Sequence, residues 1–224
     1  MDRENVANHQ RVVIFGGKGT AINIAEQIED AHQRFNYPMS VEGFAIDDPS
    51  LGKEVAGLPV VCGVREAWGK YRDTDIQFIF ALYRPDVMSE RLALLRKLEI
   101  PISRFANFVH PSAYISPSST LGQGNIILSH ASILYRVSLG NFNIINSHVV
   151  IEHEATVQDG SFVAACSCIG ARVRVGSGVF LGLNSTIRED VVIADYAIIG
   201  MATCVLRNVD EKSIVYGMPA KPKL

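Results

Sequence analysis

From Val109 onward, every sixth residue is Val, Ile or Leu: Val109, Ile115, Leu121 and so on to Ile199 and Val205, seventeen positions without a break. A helix does not produce such a beat, because its side-chain period of 3.6 does not divide six, and an ordinary sheet cannot hold it through seventeen hexads without loops interrupting the count. Three short strands joined by tight turns do produce it: an 18-residue triangular coil with the aliphatic residue pointing inward, and coils stacked by parallel pairing at about 4.8 Å. A β-sandwich would instead show alternating runs separated by loops of unequal length.

Two other hexad positions agree. The residue after the aliphatic one is Gly122, Gly140, Gly170, Gly176, Gly182 or Gly200 in six of the hexads, which suggests a turn conformation that a Cβ obstructs. The residue four after it is small or β-branched, from Ala113 and Ser119 to Ala197 and Thr203, with Asn125 and Asn143 as polar exceptions. The expected fold here is a parallel β-helix over residues 107–224. Periodicity alone leaves its hand open; the general rule for parallel crossovers favours the right.

Residues 1–106 follow another pattern. An apolar strand at Val12–Phe15 runs into Gly16-Gly17-Lys18-Gly19, and an amphipathic helix is expected from Thr20 to His32. Further strands are expected at Val41–Ile46 and Ile76–Leu82, and a helix at Pro85–Leu98. This alternation predicts a Rossmann-like α/β domain with a small parallel sheet. The Gly-rich turn lacks the third Gly of a dinucleotide fingerprint, so a plain strand-to-helix turn and an anion site both fit it. Asp47 and Asp48 close the second strand, where open α/β sheets bind ligands, and they suit ribose hydroxyls as well as a solvated turn.

Composition excludes several classes. A net charge of −2 argues against a basic nucleic-acid surface. No apolar run approaches a membrane span, and the polar MDRENVANHQ start has no signal-peptide core, so a cytoplasmic protein is expected. Cys62, Cys166, Cys168 and Cys204 make no C-x-x-C pair, and no His/Asp/Glu cluster has metal-ligand spacing. Buried free thiols and no metal are expected.

The chemistry concentrates at Asn146-Ser147-His148-Val149-Val150-Ile151-Glu152-His153-Glu154. An imidazole accepts a proton from an amine or hydroxyl near neutral pH, and a carboxylate fixes its tautomer. Neighbours on a strand point apart, so a His153–Glu154 contact needs a bend between them; without it His153 is a solvated surface residue. Positions 18 apart stack, placing His153, Ala171 and Glu189 in one column and Ala165, Leu183 and Met201 in another. The apolar column suits a subunit interface or a wall for a pantetheine arm.

At IINSHVVIEHEATVQDG and GLNSTI the chain resembles the NeuD-type sialic acid O-acetyltransferase and nucleotide-amino-sugar N-acetyltransferase family, nearest to the bacillosamine-pathway type. The VVIFGGKG start, GFAIDDP, HPSA and the YGMPAK tail extend the resemblance over nearly the whole chain. It implies a left-handed β-helix, a homotrimer with active sites between subunits, acetyl-CoA as co-substrate, and a nucleotide-linked amino sugar from polysaccharide or glycan synthesis. By motif match it makes His153 the general base and Glu154 its orienting carboxylate. It assigns Gly16, Gly17, Lys18, Asp47, Asp48 and Asn146 to substrate, and Phe162, Ala171, Leu183 and Met201 to CoA. The backbone N–H near Ala171 becomes the oxyanion donor. Two departures stand out: Phe162 occupies the place of the relatives' second His, and Ala81-Leu82-Tyr83-Arg84 replaces an AIGN-like segment. Arg84 suits a phosphate or plain solvation. Amine acetylation, sugar O-acetylation and a non-catalytic nucleotide-sugar-binding protein all remain compatible with these residues.

Overall fold

The computed structural model describes residues 9–223; the polar N-terminal segment of residues 1–8 lies outside it. The chain divides into two compact units, one running to Leu82 and taking in Leu98–Ala106, the other formed by Tyr83–Lys97 and Asn107 onward. A single cut after residue 106 was expected; the structure instead groups the 83–97 segment with the second unit.

The first unit is an α/β sheet. Strands β1 (Gln10–Phe15), β2 (Met39–Ala45), β3 (Glu54–Val55), β4 (Leu58–Cys62) and β5 (Gln77–Phe80) lie in the order β3-β4-β2-β1-β5. All pairs are parallel except β3–β4. Helix α1 (Thr20–Phe35) buries Ile24, Ala25 and Ile28, one apolar stripe at helical spacing. It outruns the expected end at His32 because Asn36 takes the left-handed conformation that closes it. The β3–β4 hairpin and the short helix α2 (Ala67–Tyr71) escaped the sequence pattern. Phe15, Phe44, Phe78, Phe80 and Phe105 form the centre of the core, all at most 2% exposed.

In the second unit each of the seventeen hexads contributes a two-residue strand whose second member is the aliphatic residue. Strands pair in parallel at a register of 18, as in Ile133↔Ile151 and Ile151↔Ile169, and so build three faces. An eight-stranded face begins at Phe108–Val109, a six-stranded face at Tyr114–Ile115 and a five-stranded face at Thr120–Leu121. From Ile127 to Val205 every inward aliphatic is buried. Burial of this order stabilises each by about 1.5–3 kcal/mol.

The glycines after the aliphatic residues act differently from the expectation. None has a positive φ; that conformation falls two residues later, mostly on non-glycine residues such as His148, Glu154, Arg172 and Asp190. Their N–H groups thereby reach the preceding coil, as Glu154 N–H does at Tyr135 O (2.8 Å). The glycines are required by close approach instead: a Cβ on Gly182 would stand 2.6 Å from the Met201 nitrogen.

One corner carries a polar ladder. Asn107 Oδ1 accepts from Asn125 N–H, Asn125 Oδ1 from Asn143 N–H, Asn143 Oδ1 from Ser161 N–H, and Ser161 Oγ from Val179 N–H, at 2.8–3.1 Å. The polar exceptions of the repeat thus satisfy buried amides in successive coils.

The segment 83–97 lies against the eight-stranded face. Tyr83 hydroxyl donates to Phe142 O, and its ring sits 5.7 Å from Phe162, which stacks on Phe180 at 5.5 Å. Burial pushes the Tyr83 phenol well above its usual range. Leu92 of helix α3 (Met88–Lys97) fills the space a side chain on Gly160 would need. The expected burial of the thiols is not found: Cys166 is exposed at a turn, and Cys62, Cys168 and Cys204 are half-buried. Cys168 and Cys204 hold the outward strand position, so the inward aliphatic leaves them no place inside.

Candidate active site

His153 and Glu154 occupy the turn between strands Val150–Ile151 and Thr156–Val157, on the edge shared by the six- and five-stranded faces. Glu154 has φ 59°, which supplies the bend that brings two sequence neighbours together. His153 Nδ1 lies 3.2 Å from Glu154 Oε2, with both side chains a little under half exposed. The contact leaves Nε2 available at the edge. Ala171 stands one coil further on, half-buried. Its N–H takes no hydrogen-bond partner among the described residues. At the five- to eight-stranded corner the corresponding N–H groups of Gln123, Asn141 and Ser177 are taken by Asn141, Asp159 and Asp195 side chains. A preorganised amide beside an imidazole is an arrangement suited to a tetrahedral oxyanion.

The remaining residues with an expected role lie elsewhere. Asn146, Leu183 and Met201 lie on the edge between the eight- and six-stranded faces. Leu183 and Met201 are 53% and 72% exposed, unusual for large apolar side chains arranged in one column. Asn146 Nδ2 donates to Val163 O at 3.0 Å. Phe162 lies on the eight-stranded face in the Tyr83–Phe180 aromatic row. Within one chain, therefore, His153 and the apolar column flank opposite sides of one face and do not meet. Arg84 is held by Asp86 through two contacts at 2.7 and 2.5 Å, which answers its charge locally.

In the first unit, Gly16 (φ 116°) and Gly17 turn the chain from β1 into α1. Gly17 is packed against the Ile46 side chain, which leaves no room for a Cβ. No side chain caps α1 at Gly19, so its first N–H groups face the turn. Lys18 Nζ pairs with Asp48 Oδ2 at 2.8 Å. That bond, with those from Ser50 N–H and Oγ, holds the Asp48 carboxyl down to about 2. Asp47 Oδ1 accepts from Val64 N–H at 2.8 Å. Five residues expected to meet substrate thus gather at the carboxyl ends of β1 and β2.

Two features escaped the sequence reading: the stacked His130 and His148 rings, 5.0 Å apart, and Tyr135, one coil before His153. Extending the 18-residue column in the N-terminal direction would have found Tyr135. Among the described residues no group of three or more His, Cys, Asp or Glu is placed to hold a metal.

No protein-family model matches the chain, and neither does any curated protein. Solved structures do. A mutant of perosamine N-acetyltransferase from Caulobacter crescentus, in complex with CoA and GDP-perosamine, is 27% identical over 95% of this chain and 96% of that one, with a TM-score of 0.80. The acetyltransferase domain of PglB from Neisseria gonorrhoeae (17% identity, TM-score 0.81, 96% and 100% covered) and WeeI from Acinetobacter baumannii (18%, 0.78, 96% and 100%) share the fold.

Proposed function

We propose that this chain is an acetyl-CoA-dependent N-acetyltransferase acting on the amine of a nucleotide-linked amino-deoxy sugar. The likeness to the Caulobacter crescentus enzyme, over nearly the full length of both chains and with CoA and GDP-perosamine bound there, carries this reading. The His153–Glu154 contact supports it independently.

The chemistry needs no acyl-enzyme, and no cysteine lies in the His153 turn. The amine attacks the thioester carbonyl, forming the C–N bond. His153 Nε2 accepts the proton while Glu154 at Nδ1 keeps the ring in the right tautomer. The Ala171 N–H donates to the developing oxyanion. The C–S bond then breaks, and the proton held by His153 passes to the departing sulfur.

Residues 1–106 serve as a Rossmann-like domain that holds the nucleotide at Gly16, Gly17, Lys18, Asp47 and Asp48, and residues 107–224 as a left-handed β-helix of the NeuD-type and nucleotide-amino-sugar N-acetyltransferase family. His153 and the exposed Leu183–Met201 column face one substrate only if a second copy supplies one of the two edges, and the family resemblance makes the working enzyme a homotrimer. Asn146 then reaches the acceptor from that neighbouring edge. No described helix is long and apolar enough to cross a membrane; a cytoplasmic site of action follows from the substrates proposed.

Incubation with acetyl-CoA and a panel of GDP-, UDP- and dTDP-linked amino sugars, followed by mass spectrometry, tests the assignment. An acetamido product is expected. Acetylation confined to hydroxyls, or nucleotide-sugar binding with no transfer, would overturn it.

A further inference from the structure

The groups on the two edges assigned to the donor, Ala171, Leu183 and Met201, all belong to coils that follow His153. Direct transfer places donor and acceptor on opposite sides of one base, so the acceptor meets this edge on its N-terminal side. Tyr135 stands there, one coil before His153 at about 4.8 Å of rise. The Glu154 N–H donates to its carbonyl at 2.8 Å, joining the two turns. The residue is 49% exposed, a large aromatic surface left open beside the His153 turn.

Its neighbour has the second unusual feature. Arg136, Glu154, Arg172 and Asp190 stack at intervals of one coil, alternating in charge. Arg172 is bound by Asp190 through two bonds of 2.7 Å, and Glu154 is turned to His153. Arg136 has no carboxylate in ion-pair range among the described residues; its guanidinium lies instead over the Tyr135 ring, 4.9 Å from the centroid. A ring backed by a guanidinium is a preorganised platform, and a planar cation without a carboxylate is matched to phosphate.

We propose that Tyr135 and Arg136 are acceptor-binding residues: the open side of the Tyr135 ring takes the apolar face of the amino-deoxy sugar, and Arg136 takes a phosphate of its nucleotide diphosphate. This rests on the N-acetyltransferase reading and adds to it two residues that set which acceptor is held against His153. The proton path is unchanged.

Steady-state kinetics with acetyl-CoA and GDP-perosamine, or the amino-sugar nucleotide the wild type prefers, tests it on the full chain. Tyr135→Ala is expected to raise the acceptor KM about tenfold, with the acetyl-CoA KM within about twofold. Tyr135→Phe, which keeps the ring, should rescue most of that loss. Arg136→Gln should raise the acceptor KM and flatten its dependence on ionic strength. Light scattering and a melting curve accompany each variant; if Tyr135→Ala does not fold, Tyr135→Leu takes its place. A rise confined to the acetyl-CoA KM, or a drop in oligomeric mass with the acceptor KM unmoved, would overturn the proposal. A wild type that acetylates no amino-sugar nucleotide removes the enzyme assignment together with it. Wild-type turnover with an unshifted acceptor KM in Tyr135→Ala removes this inference alone.

Discussion

Glu154 separates two accounts of the His153 turn, and its geometry sets the size of the effect. The carboxylate lies 3.2 Å from Nδ1, long for a charge-assisted bond, and both side chains are a little under half exposed. A solvent-screened pair of this kind contributes about 0–1 kcal/mol. If Glu154 acts only by orienting the ring and stabilising its protonated form, Glu154→Ala lowers kcat by no more than about fivefold. Removing the base is a different matter: His153→Asn should lower kcat by about 10²–10⁴-fold. Both variants should fold, since neither side chain is buried. Single-turnover measurements at saturating acetyl-CoA and acceptor would separate chemistry from product release. A loss in Glu154→Ala as large as that in His153→Asn would refute the reasoning, because the carboxylate would then be moving the proton itself. Near-normal turnover in His153→Asn would remove the imidazole from the mechanism.

Asn143→Ala strips the Ser161 N–H of its acceptor in a fully buried corner, and a cost of about 1–3 kcal/mol is expected. Asn143→Ser should recover part of it, since Ser161 Oγ already serves Val179 N–H at 3.1 Å. Hydrogen exchange at the 161 amide gives the local value, and unchanged protection in Asn143→Ala would contradict the ladder. Asp48, held at about 2 by Lys18 and Ser50, should titrate well below an ordinary carboxyl. Because its folded value is lowered, its stabilising contribution is full above the ordinary carboxylate value of 3.8 and is lost as pH falls through about 2. An NMR midpoint for its carboxyl carbon near the ordinary value would show that the Lys18 contact does not persist in solution.

The hexad series, read from residues alone, is enough to dictate a three-sided tube: parallel pairing at a register of 18 and an inward aliphatic residue at every sixth position follow from backbone geometry once the beat is unbroken. His153 and Glu154 were named as a pair by the family motif, whereas the residues alone left His153 open as a solvated side chain until the bend at Glu154 (φ 59°) brought the two together. Sequence periodicity carries no information about packing onto the outside of the tube. It could not show that Tyr83 and Leu92 lie on the eight-stranded face, which makes Phe162 part of an aromatic row. Nor could it assign the glycines to close approach instead of a left-handed turn, because that depends on the backbone of the next coil, 18 or 19 residues away. The separation of His153 from Leu183 and Met201 into different columns was already legible in the 18-residue period, and the strand pairing shows one whole face lying between them. Inward positions are dictated by an interior every coil shares, whereas outward positions depend on whatever neighbour the folded chain, or a second copy of it, brings against them.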